Sequence, residues 1–141
     1  MTELERLAAE IAQCQKCQLA RGRIKTVPGY GAADARLLFI GEAPGFHEDR
    51  QGLPFVGPDG QFLDELLRSI GMSREQVFIC NVVKCRPPNN RDPLPSELEA
   101  CRSYLDRQIE FLRPRMIVTL GRYSMARYFP NVPISHIHGR A

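Results

Sequence analysis

The sequence predicts an α/β domain of three layers, αβα, around a central parallel sheet. Three observations carry that reading. Short apolar runs that stop at glycine, Leu37-Leu38-Phe39-Ile40 before Gly41 and Met116-Ile117-Val118-Thr119-Leu120 before Gly121, read as buried strands, as does Val77 to Val83. Segments with apolar residues at a period of 3.6 lie between them, so the order runs helix, strand, helix, strand, helix, strand, helix. With 141 residues, 43% apolar and 25% charged, the chain fits one domain over residues 1–141 and excludes disordered and collagen-like architectures.

Each element has its own signal. Leu4, Leu7, Ala8 and Ile11 give a short amphipathic helix over residues 3–13 that runs into Cys14. Arg21 to Asp34, with Pro28, Gly29 and Gly31, reads as an irregular connection to the first strand. A long Gly/Pro-rich loop, Gly41 to Gly60, follows that strand. Phe62, Leu63, Leu66, Leu67 and Ile70 place a helix over Gln61 to Ile70, with Gly71 as its stop. After the second strand, a Pro/Asn loop leads to Pro95, where Ser96 and Glu99 form a capping box that opens a helix to about Leu112. Ser124 to Phe129 reads as a last short helix. In such sheets the ligand sits at the carboxyl ends of the strands. Here that edge holds Gly41 to Gly45, Asn81 with Lys84-Cys85, and Gly121-Arg122.

Composition narrows the function. The longest aliphatic or aromatic run is four residues, far short of the roughly 20 a membrane-spanning helix needs. The acidic start, Met1-Thr2-Glu3-Leu4-Glu5, lacks the basic and apolar regions of an export signal, so a cytoplasmic protein with no membrane partner is expected. Net charge is only +3, but residues 111–141 carry five Arg and no carboxylate. Sixteen of the 19 cations are Arg, whose planar fork suits phosphates, although a GC-rich genome gives the same bias.

Five cysteines without an export signal favour a metal site or catalysis over a disulfide framework. Cys14-Gln15-Lys16-Cys17 places two thiolates one turn apart, and Cys85 and Cys101 supply a second pair with 15 residues between them. Zinc and an iron–sulfur cluster both match four such ligands. All-cysteine ligation, the Pro-rich turn after Cys85 and the absence of a nearby His favour a [4Fe-4S] cluster. The competing reading, a redox dithiol beside two unrelated cysteines, is weaker because such a dithiol normally follows a strand and this one follows a helix. Cys80, among Phe78, Ile79 and Val82, reads as core.

The strand-end loops hold the other candidates. Gly41-Glu42-Ala43-Pro44-Gly45 lacks the spacing of a phosphate or dinucleotide loop, but it presents Glu42, with Glu48 or Asp49 six or seven residues on, beside backbone N–H groups. Such carboxylates suit activation of a water or support of a cationic transition state, and a solvated acidic loop is the alternative. Phe55 is an aromatic in a Gly/Pro-rich loop, either a stacking platform for a base or a plug over the core. Asn81 is a primary amide in an apolar strand, paired either with a ligand edge or with neighbouring backbone. His136 and His138 read as surface residues.

Taken together, Gly41-Glu42-Ala43-Pro44-Gly45-x-x-Glu48-Asp49, Gly52-x-Pro54-Phe55-Val56-Gly57, Asn81-Val82-Val83-Lys84-Cys85-Arg86-Pro87-Pro88 and the four cysteines resemble the family 4, iron–sulfur uracil-DNA glycosylases, from about Leu4 to Arg140. The resemblance implies a uracil-DNA-glycosylase-like fold and an enzyme of base excision repair that cleaves the N-glycosidic bond of uracil in DNA and leaves an abasic site. It implies that Cys14, Cys17, Cys85 and Cys101 hold a structural [4Fe-4S] cluster. Phe55 would stack on the flipped uracil, and Asn81 would read its O4 and N3–H. Gly41 to Ala43 would line the pocket. Glu42 would position water and support the oxocarbenium-like sugar while Glu48 shapes the pocket, with the opposite assignment left open and Asp49 a lesser candidate. Arg86 and Arg122 would contact phosphates.

The sequence departs from that pattern at one place. Family members continue with a last strand and a His-Pro loop whose His donates to uracil O2. His136 and His138 lie too early to match it, so the sheet is expected to lack its last strand. The alternative function is then a truncated, catalytically weak or inactive iron–sulfur DNA-binding protein. A monomer acting on uracil-containing DNA is expected, and the sequence is silent on a polymerase clamp as partner.

Overall fold

The computed structural model describes residues 1–130; the sequence-predicted features at His136, His138 and Arg140 lie outside the described residues. The strands are β1 (Tyr30–Gly31), β2 (Leu37–Gly41), β3 (Phe78–Asn81) and β4 (Met116–Thr119). The helices are α1 (Glu3–Ala12), α2 (Leu19–Gly22), α3 (Phe46–Gln51), α4 (Pro58–Ser69), α5 (Pro95–Leu112) and α6 (Arg122–Ala126). The strand order is β1-β3-β2-β4.

Strand alternation sorts the core into two faces. Leu38 and Ile40 of β2 and Phe78 and Cys80 of β3 point one way, against Leu105, Ile109 and Leu112 of α5. Phe39 and Ile79 point the other way, against Leu63 and Leu67 of α4. Helix α1 packs outside α5 through Leu7, Ile11 and Tyr104. The three layers are therefore as the sequence predicts. Strands β2, β3 and β4 are parallel, with Gly41 opposite Asn81 and Phe39 opposite both Ile79 and Val118.

The expectation of a purely parallel sheet needs correction. β1 pairs antiparallel with β3, Tyr30 opposite Ile79, which makes the sheet mixed. Two exposed residues carry no periodic signal, so the segment from Arg21 to Asp34 reads as loop by sequence. The long loop after β2 likewise hides α3, six residues with no apolar stripe, whose Glu48 and Asp49 are the buried positions. Helix α4 starts three residues before the predicted Gln61, because Pro58 sits at the first turn, where a missing N–H costs nothing. The Ser96–Glu99 box does not form. Instead the Glu97 carboxylate accepts the Leu94 N–H at 2.8 Å, which moves the cap to Leu94 and starts α5 two residues earlier, at Pro95. Among the described residues, no helix is long and apolar enough to cross a membrane.

Candidate active site and cysteine centre

Register places the first group of residues. Gly41 and Asn81 face each other at the carboxyl ends of β2 and β3, on the same sheet face as Phe39 and Ile79. Phe55 packs against that same cluster from the loop before α4. The three converge closely: a Cβ added to Gly41 would lie 2.5 Å from Asn81 Oδ1 and 2.5 Å from Phe55 Cζ. Glycine leaves the room they need, because the Asn81 side-chain oxygen and the Phe55 ring approach the Gly41 Cα within a methyl's width. No described residue hydrogen-bonds the Asn81 amide, and among the described residues no sealed side-chain N or O lacks a partner, so the polar end of this 3% exposed residue opens at the strand edge.

Glu42 and Glu48 line one open cleft beside this point, together with Ala43, His47 and Asp59. Both carboxylates are anchored. Glu42 accepts the N–H groups of Tyr123 at 2.8 Å and Ser124 at 2.9 Å, fixing the start of α6, which therefore begins at Arg122 and not at the expected Ser124. Burial raises the Glu42 carboxyl above its ordinary value, against those two bonds and the Arg122 charge. Each oxygen keeps a second lone pair for a water or ligand. Glu48 accepts from Gly45 at 3.0 Å, Val56 at 2.9 Å and Gly57 at 3.0 Å, and so ties α3 to the loop carrying Phe55. Burial opposes the Glu48 charge, but these N–H donors outweigh it and hold the carboxyl below its ordinary value. Asp59 beside it is raised, by burial and by the Glu48 charge.

Three expected residues do not line this cleft. Asp49 faces the N-terminal segment, accepting the Ile24 N–H at 2.9 Å, and does not line the cleft. Arg122 is paired with Asp92 at the surface, and Arg86 donates to Asn90 at 2.8 Å.

The cysteines form a second centre on the other side of β3. Cys14, Cys17, Cys85 and Cys101 line one small cavity with Lys84 and Tyr104. Among the described residues, no three His, Cys, Asp or Glu converge tightly enough for a single metal ion. Three N–H donors point at sulfur: Lys16 N to Cys14 Sγ at 3.4 Å, Lys84 N to Cys101 Sγ at 3.3 Å, and Arg23 Nη1 to Cys85 Sγ at 3.4 Å. Burial pushes the Cys101 thiol up to about 11, against the Lys84 charge, and raises Cys85, against the Arg23 bond and charge. Cys80 is buried in the core, as expected.

The family model described as the uracil DNA glycosylase superfamily matches residues 28–140. The chain belongs to that superfamily. Its similarity is to the type-4 branch: it is 54% identical over 130 residues to the type-4 uracil-DNA glycosylase of Saccharolobus solfataricus, covering 92% of this chain and 60% of that one. The type-4 enzyme of Sulfurisphaera tokodaii is 52% identical over 92% of this chain and 59% of its own. That of Thermotoga maritima is 46% identical over 94% of this chain and 69% of its own. The chain thus spans about three-fifths of the length of the first two of these glycosylases.

Within this domain, the sequence reading missed the groups that support the site. Lys84 is 1% exposed, and its ammonium donates to Asn81 O and Gln108 Oε1, both at 2.7 Å, while Gln108 Nε2 donates to Pro28 O at 2.6 Å. This network fixes the backbone of Asn81 from below. Glu97 takes both guanidinium nitrogens of Arg91 at 2.8 Å, and Gln18 beside Cys17 at 3.1 Å. The Lys84 and Gln108 contact spans 24 residues and has no local spacing, so only the fold reveals it.

Proposed function

We propose that this chain removes uracil from DNA by hydrolysing its N-glycosidic bond and leaving an abasic site, a step of base excision repair. The carrying observation is the triangle of Gly41, Phe55 and the Asn81 amide at the parallel edge of the sheet. A flipped uracil stacks on the Phe55 ring, over the Gly41 backbone. The Asn81 amide then offers one donor to O4 and one acceptor to N3–H. Cytosine carries an amino group at that edge and leaves the same groups unpaired, which is the strong form of discrimination.

Glu42, held at the start of α6, turns its remaining lone pairs to the cleft, where they position a water and oppose positive charge developing on the sugar. Glu48 acts one step back, by holding the Phe55 loop. Uracil departs as an anion, so donors aimed at the base favour the transition state over the ground state.

The donor set suits a [4Fe-4S] cluster: four cysteine sulfurs around one cavity, three of them receiving N–H bonds. Cys14, Cys17, Cys85 and Cys101 hold it in this reading. The group supplies a cross-link, not chemistry, tying the ends of α1 and β3 to α5. Free thiols among all five cysteines agree with a reducing, cytoplasmic setting, and the working unit is a monomer on uracil-containing DNA.

The test is release of free uracil by the anaerobically purified chain from a single-stranded oligonucleotide with one uracil, beside matched thymine and cytosine oligonucleotides. Uracil alone is expected in the supernatant, with alkali-labile scission at its position. No release by folded, iron-loaded protein overturns the proposal.

A further inference from the structure

Phe55 sits on a backbone that ordinary residues avoid. Its φ is 53°, the left-handed region, where an L side chain is strained. Something must hold it there. Arg74, in the turn before β3, donates from Nη1 to Pro54 O at 3.0 Å, and from Nη2 to Phe55 O and to Gly60 O, the last at 3.2 Å. Its Nε is fixed by Asp64 of α4 at 2.6 Å. Gly60 leaves room for this arrangement, since a methyl there would overlap the Phe55 carbonyl.

The loop is thus clamped from two sides. One guanidinium gathers the carbonyls before and at Phe55, and the Glu48 carboxylate gathers the N–H groups of Val56 and Gly57 just after it. Only a planar fork with several donors in fixed directions can hold three carbonyls and a carboxylate at once. Arg74 lines the outer side of this loop with Asp64 and Pro54 and is not among the residues that line the Glu42 cleft.

We propose that Arg74 is a positioning residue for base recognition: it locks the strained Phe55 backbone so that the ring stands over Gly41 and beside the Asn81 amide before the base arrives. The proposal rests on the reading of Phe55 as the stacking platform. Loss of the clamp lets the backbone relax out of the left-handed region, which moves the ring by an ångström or more and lowers the rate by about 10- to 100-fold.

The experiment is a double-mutant cycle on uracil release, with Arg74→Gln, Phe55→Ala and the pair, all measured well below each protein's melting midpoint. Arg74→Gln is expected to lose 10- to 100-fold in kcat/KM, and the double variant to match Phe55→Ala alone within about twofold. Asp64→Asn, which loosens only the orientation of the guanidinium and lies at the surface, is expected to lose about threefold in the same direction, so the proposal stays testable if Arg74→Gln folds poorly. Losses that multiply in the double variant, or an Arg74→Gln protein within twofold of wild type while Phe55→Ala is impaired, overturn the clamp. A Phe55→Ala protein as active as wild type overturns the stacking reading itself.

Discussion

Gly41→Ala is the sharpest perturbation of the proposed pocket. Gly41 does not have a positive φ, so alanine fits the backbone and the whole effect falls on what the new methyl meets. It meets Asn81 Oδ1 and Phe55 Cζ, each at 2.5 Å. Ordinary carbon contacts begin near 3.5 Å, so both groups must retreat by about 1 Å. A misplacement of that size costs about 100-fold, equivalent to about 2.7 kcal/mol in the barrier. Overpacking adds about 1–3 kcal/mol of lost stability. The assay is kcat/KM for uracil release at 25 °C, with the thermal midpoint measured alongside. A variant within twofold of wild type would refute the reasoning, because the three residues would then not share the base-binding space.

Two further outcomes follow from the supporting groups. Glu97 is 1% exposed, and chiefly its bond to Arg91 holds the carboxyl down, to about 2 from 4.5. A lowered carboxyl stabilises the fold above its ordinary value and loses that contribution as pH falls; Glu97→Gln should cost about 2 kcal/mol at pH 7 after screening at the part-exposed Arg91, and the gap to wild type should close between pH 4.5 and about 2. Midpoints measured across that range check it, and a gap independent of pH contradicts it. Cys101→Ser should lower bound iron by at least half and the thermal midpoint by roughly 10 °C, while Cys80→Ser should leave the iron in place. Equal iron in both variants would remove Cys101 from the ligand set.

The sequence and the structure agree where burial imposes a period. Leu37 to Gly41 and Leu63 to Leu67 are visible as strand and helix because one face of each must meet the core. β1 and α3 escape because two and six residues leave too few apolar positions to show a period. Among site residues, Gly41, Asn81, Phe55 and the four cysteines stand out by type against an apolar strand or a glycine-rich loop. Their supports do not. Arg74 and Lys84 are charged residues of ordinary appearance, and their partners lie up to 24 positions away. The roles of the carboxylates shift for the same reason: Glu48 and Asp49 are neighbours in sequence, yet one faces the Phe55 loop and the other the N-terminal segment.

Base selection by the Asn81 amide is the central claim, and Asn81→Asp tests it most directly. The substitution keeps size and exchanges the amide donor for a second acceptor, which suits the amino group of cytosine and repels O4 of uracil. Release of each base from single-stranded oligonucleotides is measured for wild type and variant at equal iron content. The account predicts that the variant releases cytosine, which wild type does not, and loses most of its uracil release. Undiminished uracil release with no cytosine release would contradict it.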